Sequence, residues 1–244
     1  MTDPSTENGS ETTGRGAVAA DRSQLLDAIL PHVAFDGWSE ASFRAAAADL
    51  GLTTAEARAI APRGALDMAV AFHKRGDAAM LDRLDRADLA EMKIRERITF
   101  AVRARIEAID DREAVRRGSA FFALPQNAPE GARLIWETCD AIWTALGDPS
   151  DDINWYTKRA TLAGVYGSTV LFWLGDDSEG RAETWSFLDR RIEDVMRIEK
   201  VKAQVRKNPV LNGLMVGPNW LMSKVKAPQH RDASDLPGHV RGEG

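Results

Sequence analysis

Residues 151–177, DDINWYTKRATLAGVYGSTVLFWLGDD, decide how the rest of the chain is read. The stretch opens on acids, passes an aromatic-basic cluster (Trp155, Tyr156, Lys158, Arg159), and then runs from Ala160 to Leu174 without a charge. A second acidic turn, Asp176-Asp177, closes it. A helix facing water keeps a polar face. Past Ala160 this one has almost none, so the pattern predicts a central helix covered nearly all round, by its own domain and by a partner. The run is shorter than the ~18 apolar residues that a membrane-spanning helix needs. Its first turn is amphipathic and is expected to lie exposed. Successive residues on a helix point about 100° apart, so Trp155 and Tyr156 do not both face a core well. Aromatics and arginine are the usual anchors of protein interfaces, and Trp155, Tyr156, Lys158 and Arg159 are expected to form such a patch.

Around that helix, composition fits a soluble globular protein. The chain has 244 residues, 44% hydrophobic and 28% charged, with a net charge of −5 that gives no global attraction to nucleic acid. The lone cysteine, Cys139, rules out an internal disulfide and suits a reducing compartment. Residues 1–20 are polar, lack the layout of a secretory signal, and are too acidic for a mitochondrial transit peptide. They read as a disordered tail, and residues 227–244 as a flexible one.

Between the tails the periodicity is helical throughout, with about eight to ten helices and no alternating strand pattern. Residues 21–75 read as a small head. A helix at Asp21 to Phe35 carries Leu25, Ile29 and Val33 on one face, with Pro31 expected to kink or shorten it. Short helices follow at Glu40 to Leu50 and Ala55 to Ile60, then a longer one at Ala65 to Lys74. That outline is helix-turn-helix. The second short helix offers Arg58 beside Glu56 and small apolar residues, so the head reads as a degenerate scaffold that no longer binds DNA, since affinity rests largely on phosphate neutralisation. Residues 76–206 read as a larger bundle. Asp77 to Arg86 is a charged helix or connector. Asp88 to Ile109 carries an Ile94, Ile98, Val102, Ile106 stripe with its Lys, Arg and Glu on the outer face, Glu91 pairing with Arg95. Helices at Arg112 to Leu124, Pro129 to Leu146, the central stretch, and Ala182 to Val205 complete it.

No catalytic constellation emerges, and no metal site. The four histidines, His32, His73, His230 and His239, read as scattered and without a helical partner. Two binding features stand out instead. Bulky apolar residues in the bundle read equally as core or as the lining of an elongated pocket between helices, a usual place for ligands in bundles. Expected lining residues are Phe121, Phe122, Trp136, Cys139, Trp143, Leu162, Tyr166 and Val170. The second feature is basic: Arg197, Lys200, Lys202, Arg206, Lys207, Lys224 and Lys226 stand against the single acid Glu199. They flank an apolar segment within residues 207–226. There Leu211, Leu214, Met215, Trp220 and Leu221, with Lys224, suit reversible contact with a membrane surface. Pro209 and Gly217-Pro218 interrupt that segment.

The run DDINWYTKRATLAGVYGSTVLFWLGDDSEGRAETWSFLDRRIEDVM, with RGALDMAVAFHKRGDAAM upstream, resembles the lipid-binding accessory proteins of ubiquinone (coenzyme Q) biosynthesis. The likeness covers residues 25–205 and is densest over 152–196. It implies an all-α fold of the TetR-regulator type, a homodimer through the last two long helices, and no repressor activity. It further implies an isoprenoid lipid or quinone precursor in the apolar pocket and no other cofactor. The lipid is presented at the membrane to the demethoxyubiquinone hydroxylase, whose binding patch falls here on Trp155, Tyr156 and Arg159. Because the first residues are unlike a transit peptide, a bacterial cytoplasmic protein, peripheral on the inner membrane, is expected. The alternative is a TetR-type transcriptional repressor with a lipid inducer.

Overall fold

Local capping signals set most of the helix ends. The computed structural model describes residues 14–207, with side chains placed for residues 22–198. Among the described residues the chain is all α, with no strand: α1 (Gly14–Asp36), α2 (Glu40–Asp49), α3 (Thr54–Ile60), α4 (Ala65–Asp85), α5 (Ile94–Glu107), α6 (Arg112–Ala123), α7 (Ala128–Ala145), α8 (Ile153–Gly175) and α9 (Ala182–Lys207). The Ser39 hydroxyl accepts the Ser42 N–H at 3.2 Å to start α2. Thr53 and Glu56 form a reciprocal capping box at α3: the Glu56 carboxylate accepts the Thr53 N–H at 2.8 Å, and the Thr53 hydroxyl accepts the Glu56 N–H at 3.2 Å. Gly51 and Gly147, at φ of 68° and 73°, stop α2 and α7 in the left-handed conformation that glycine takes without penalty.

Three helices differ from their sequence expectation. α1 passes through Pro31, whose side chain is exposed, without a break. Its burial of Leu25, Ile29 and Val33 at 0% exposure outweighs one missing backbone donor. α4 does not end near Lys74 but continues to Asp85, across the expected boundary between head and bundle. Gly76 and Asp77, which look like a break in sequence, are both buried in it. α5 begins at Ile94 rather than Asp88. Glu96 accepts the Lys93 N–H at 2.8 Å, and Arg97 donates to the carbonyls of Met92 (2.9 Å) and Ala90 (3.2 Å), tying residues 88–93 down as a connector. Glu91 therefore lies outside the helix, and the expected Glu91–Arg95 pair does not form among the described residues.

Two cores result. The head core joins α1, Phe43 of α2, Ala57 of α3 and Met68 of α4. The bundle core joins Met80 of α4, Val102 and Ile106 of α5, Ile142 of α7, Leu162 and Tyr166 of α8, and Leu188 of α9. The head is tied to the bundle through α6: Trp38 Nε1 donates to the Ala114 carbonyl at 3.0 Å, and Arg117 donates to the Ala34 carbonyl at 3.1 Å. α8 packs on α6, α7 and α9. It is not covered all round by its own chain. Thr161, Gly164 and Gly175 are exposed, and Leu171 is 65% exposed, so one uncharged face stays open. No helix among the described residues is long and apolar enough to cross a membrane.

Candidate functional site: an apolar cavity with one polar end

The bundle encloses a cavity of about 610 Å³ between α4, α5, α6, α7 and α8, with Trp38 reaching in from the head. Its wall is mostly apolar, from Phe72, Ile109, Val115, Phe122, Ile135 and Val170, and includes the exposed Leu171. A close helix crossing shapes it. A Cβ on Gly131 of α7 would lie 2.8 Å from the Cβ of Phe122, so only glycine lets α6 and α7 meet there.

At one end sits a buried polar cluster. Arg105 of α5 donates from Nε to Asp77 at 2.7 Å and from Nη2 to the His73 carbonyl at 2.9 Å. The Thr138 hydroxyl lies 2.8 Å from the Asp77 carboxylate and 2.8 Å from His73 Nε2. With Thr138 donating to the carboxylate, the His73 ring donates to Thr138. Burial, and then the nearby Arg105 charge, lower the His73 pKa to about 4, so the ring is neutral at pH 7. Tyr166 of α8 completes this end, its ring centroid 5.9 Å from the Arg105 guanidinium. Burial raises the Tyr166 pKa, which keeps its phenol protonated.

Of the residues expected to line a pocket, Phe122, Tyr166 and Val170 do so. Phe121, Trp136, Cys139, Trp143 and Leu162 are not in the wall. Phe121 packs edge-on against Phe122 and against the head core. Cys139 and Leu162 are buried in the bundle core, and burial pushes the Cys139 thiol up to about 12. Trp143 lies under the Lys158 ammonium, 5.3 Å from its ring centre. Trp136 turns to the surface, where it meets Trp155 (centroids 5.8 Å apart) and Tyr156 (6.4 Å).

That aromatic trio is half-buried, and its basic neighbours behave unlike the expectation of an exposed turn. Arg159 is 2% exposed. Its guanidinium bonds Asp140 at 2.5 Å, Asp148 at 3.2 Å and the Trp155 carbonyl at 3.1 Å, and lies 3.9 Å from the Trp155 ring centre. It supports the patch from beneath rather than presenting a charge. Lys158 reaches Asp148 at 2.6 Å and Ser150 at 2.7 Å. Trp155 and Tyr156 share their exposure with Trp136.

Sequence reasoning missed the polar cluster. Arg105 resembles the outer charges of α5 in sequence, yet it lies three residues after Val102, on the buried face. Asp77 stands four residues after His73, so this histidine does have a helical partner, unlike the expectation of scattered histidines. The cluster forms hydrogen bonds rather than a metal centre, and no group of His, Cys, Asp or Glu among the described residues could hold a metal ion. In the head, Arg58 is engaged by the Glu40 carboxylate (2.7 Å) and the Pro62 carbonyl (3.0 Å). The expected membrane-contact residues, Leu211, Leu214, Met215, Trp220, Leu221 and Lys224, lie outside the described residues.

Comparison with known proteins places this geometry. Residues 128–199, from α7 into α9, match the model of the COQ9 family. The chain is 32% identical over 201 residues to the mitochondrial ubiquinone biosynthesis protein COQ9 of Rattus norvegicus, covering 79% of this chain and 64% of that protein. It is 30% identical over 207 residues to the Drosophila melanogaster protein, covering 80% and 63%, and 30% identical over 201 residues to the Homo sapiens protein, covering 79% and 63%. The chain thus spans a little under two thirds of the length of these curated relatives. A TetR transcriptional regulator from Nitrosomonas europaea superposes with a TM-score of 0.60 at 21% identity, over 71% of this chain and 97% of that one. That likeness concerns the fold and agrees with the TetR-like outline of the sequence. The relatives are mitochondrial proteins, which overturns the expected bacterial cytoplasmic location. The expectation leaned on the character of the first residues, and those say little in a chain that spans only part of its relatives. Over residues 128–199, carried on a TetR-type helical fold, the chain is similar to the COQ9 family.

Proposed function

We propose that the chain acts in ubiquinone biosynthesis as a lipid-binding accessory protein, holding a prenylated quinone precursor in the bundle cavity and presenting it to the demethoxyubiquinone hydroxylase. The observation that carries this reading is the cavity. At about 610 Å³ it falls in the ~300–1,000 Å³ range of small-molecule sites, and its wall is mostly apolar. Burying a prenyl tail there is driven by about 0.8 kcal/mol per CH₂. The names of the relatives, ubiquinone biosynthesis proteins, support the pathway. The role is accessory, with the lipid as bound group and no catalytic step of its own.

Two surfaces support the partners. The open uncharged face of α8, with Phe172 stacked on Phe187 of α9 at 4.6 Å and Ile198 of α9 exposed, suits a second copy of the chain. The Trp136, Trp155, Tyr156 patch suits the hydroxylase. Membrane contact through residues 207–226 rests on the sequence alone. A TetR-type repressor would need cations on α3 free to meet phosphate, and Arg58 is already engaged within the head. Native mass spectrometry of the purified protein, followed by lipid extraction, tests the proposal. A dimer carrying a prenylated quinone precursor is expected. A dimer carrying only phospholipid, or nothing, overturns the reading.

A further inference from the structure

The cavity has two donors left over at its polar end. Arg105 has a side chain 3% exposed, yet only Nε and Nη2 of its guanidinium find acceptors, in Asp77 and the His73 carbonyl. Nη1 has no acceptor among the described residues. Tyr166 is 4% exposed, and its hydroxyl has no hydrogen-bond partner among them either. Both residues line the cavity. Neither atom is sealed off, since the fully buried side-chain atoms left without a partner among the described residues are Arg112 Nε and Trp143 Nε1; both donors therefore open onto the cavity and are free to meet an occupant that supplies acceptors. The guanidinium is held there deliberately by the fold. A Cβ on Gly76 of α4 would sit 2.7 Å from Arg105 Cζ and closer still to Nη1, so the glycine makes the room that Nη1 occupies.

Charge around this end limits what the occupant can be. Asp77 neutralises Arg105 at 2.7 Å, and Tyr166 is an uncharged phenol. His73 is neutral at pH 7. The other charged groups in the wall are Arg75, which is paired with Asp27 at 2.5 Å, and the acids Asp110 and Asp111. Nothing here compensates a buried anion, and an uncompensated buried charge is costly.

We propose that Arg105 Nη1 and the Tyr166 hydroxyl form a headgroup subsite that takes a neutral ring bearing oxygen acceptors, such as a quinone carbonyl with its ether neighbours, and rejects a carboxylate head. This deepens the lipid-binding reading above and rests on it. The apolar tail then lies against the apolar wall, which includes Ile135, Phe122 and Val170.

The test uses full-length, delipidated protein and three probes with tails of nearly equal length: decylubiquinone, decylbenzene and decanoate. The variant is Tyr166→Phe, which removes only an oxygen that has no protein partner, so it folds with unchanged stability. Wild type is expected to bind decylubiquinone at least tenfold more tightly than decanoate. Tyr166→Phe is expected to lose on the order of five- to tenfold for decylubiquinone, the worth of about one hydrogen bond, and nothing for decylbenzene. Equal losses for both ring probes, or no loss for either, overturn the subsite while leaving the lipid pocket standing. Decanoate bound as tightly as decylubiquinone overturns the preference for a neutral head. Wild type that binds none of the three overturns the lipid-binding reading itself.

Discussion

Arg159→Ala is the sharpest test of how this structure works, because the sequence places that side chain outside and the fold places it inside. The guanidinium satisfies Asp140, Asp148 and the Trp155 carbonyl at once, at 2% exposure. Removing one partner of a buried ion pair costs about 3–5 kcal/mol, because the other charge stays behind. Two features place this case at the low end. Asp148 has a side chain 1% exposed but keeps Lys158 at 2.6 Å and Ser150 at 2.9 Å, which still hold its pKa below the ordinary carboxylate value. Asp140 has a side chain 36% exposed and can rehydrate. Against that stand the lost cation–π contact with Trp155 and a cavity under the aromatic trio. The expected loss is about 3 kcal/mol. Urea unfolding measures it directly: at a slope of ~1–3 kcal/mol/M, the midpoint falls by about 1–3 M with an unchanged slope. Lys158→Ala, whose partner Asp148 retains Arg159, should cost clearly less. A midpoint for Arg159→Ala within ~0.3 M of wild type would refute the buried-bridge account and return Arg159 to the surface patch. The consequence for the partner is specific. If the hydroxylase docks on this patch as proposed above, any loss of its binding in Arg159→Ala should track loosening of Trp155 and Tyr156, whereas Trp155→Ala should weaken binding in a protein that remains folded.

Two further outcomes follow from the same geometry. Gly131→Ala places a methyl 2.8 Å from Phe122 Cβ, forces α6 from α7, and should cost about 1–3 kcal/mol in thermal unfolding while reshaping the cavity; a melt identical to wild type would contradict that crossing. His73 titrates at about 4 in the fold against 6.5 when free, so between those values the unfolded chain takes up a proton that the folded one refuses. Its contribution is full above pH 6.5 and declines as pH falls toward 4, by on the order of 1–3 kcal/mol; His73→Gln should flatten the stability–pH curve in that window, and an unaltered slope would mean that the ring is not held neutral.

Much of this molecule was legible as one-dimensional pattern. The 3.6-residue period marks Leu25, Ile29 and Val33 as the buried face of α1, and all three are fully buried. Ser39, Thr53 and Gly147 mark helix ends because capping and left-handed stops act within a few residues. The uncharged run after Ala160 marks α8, and its open face in the single chain agrees with a helix that asks for more cover than its own domain provides. What sequence alone misjudged were ionic side chains. Arg105 and Arg159 look like solvated charges beside other solvated charges, and both are buried. Their partners lie 28 and 19 residues away, Asp77 on α4 and Asp140 on α7, across helix crossings that no local period encodes. The same holds for the cavity. Apolar content could not tell core from lining, and Trp136, Cys139 and Phe122, all apolar in the sequence, end in three different places: a surface cluster, the buried core and a cavity wall. Periodicity and capping are short-range and survive in the sequence. Whether a charge is buried, or an aromatic faces a void, depends on which helices approach and how closely, and here two glycines without a Cβ, Gly76 and Gly131, decide that approach.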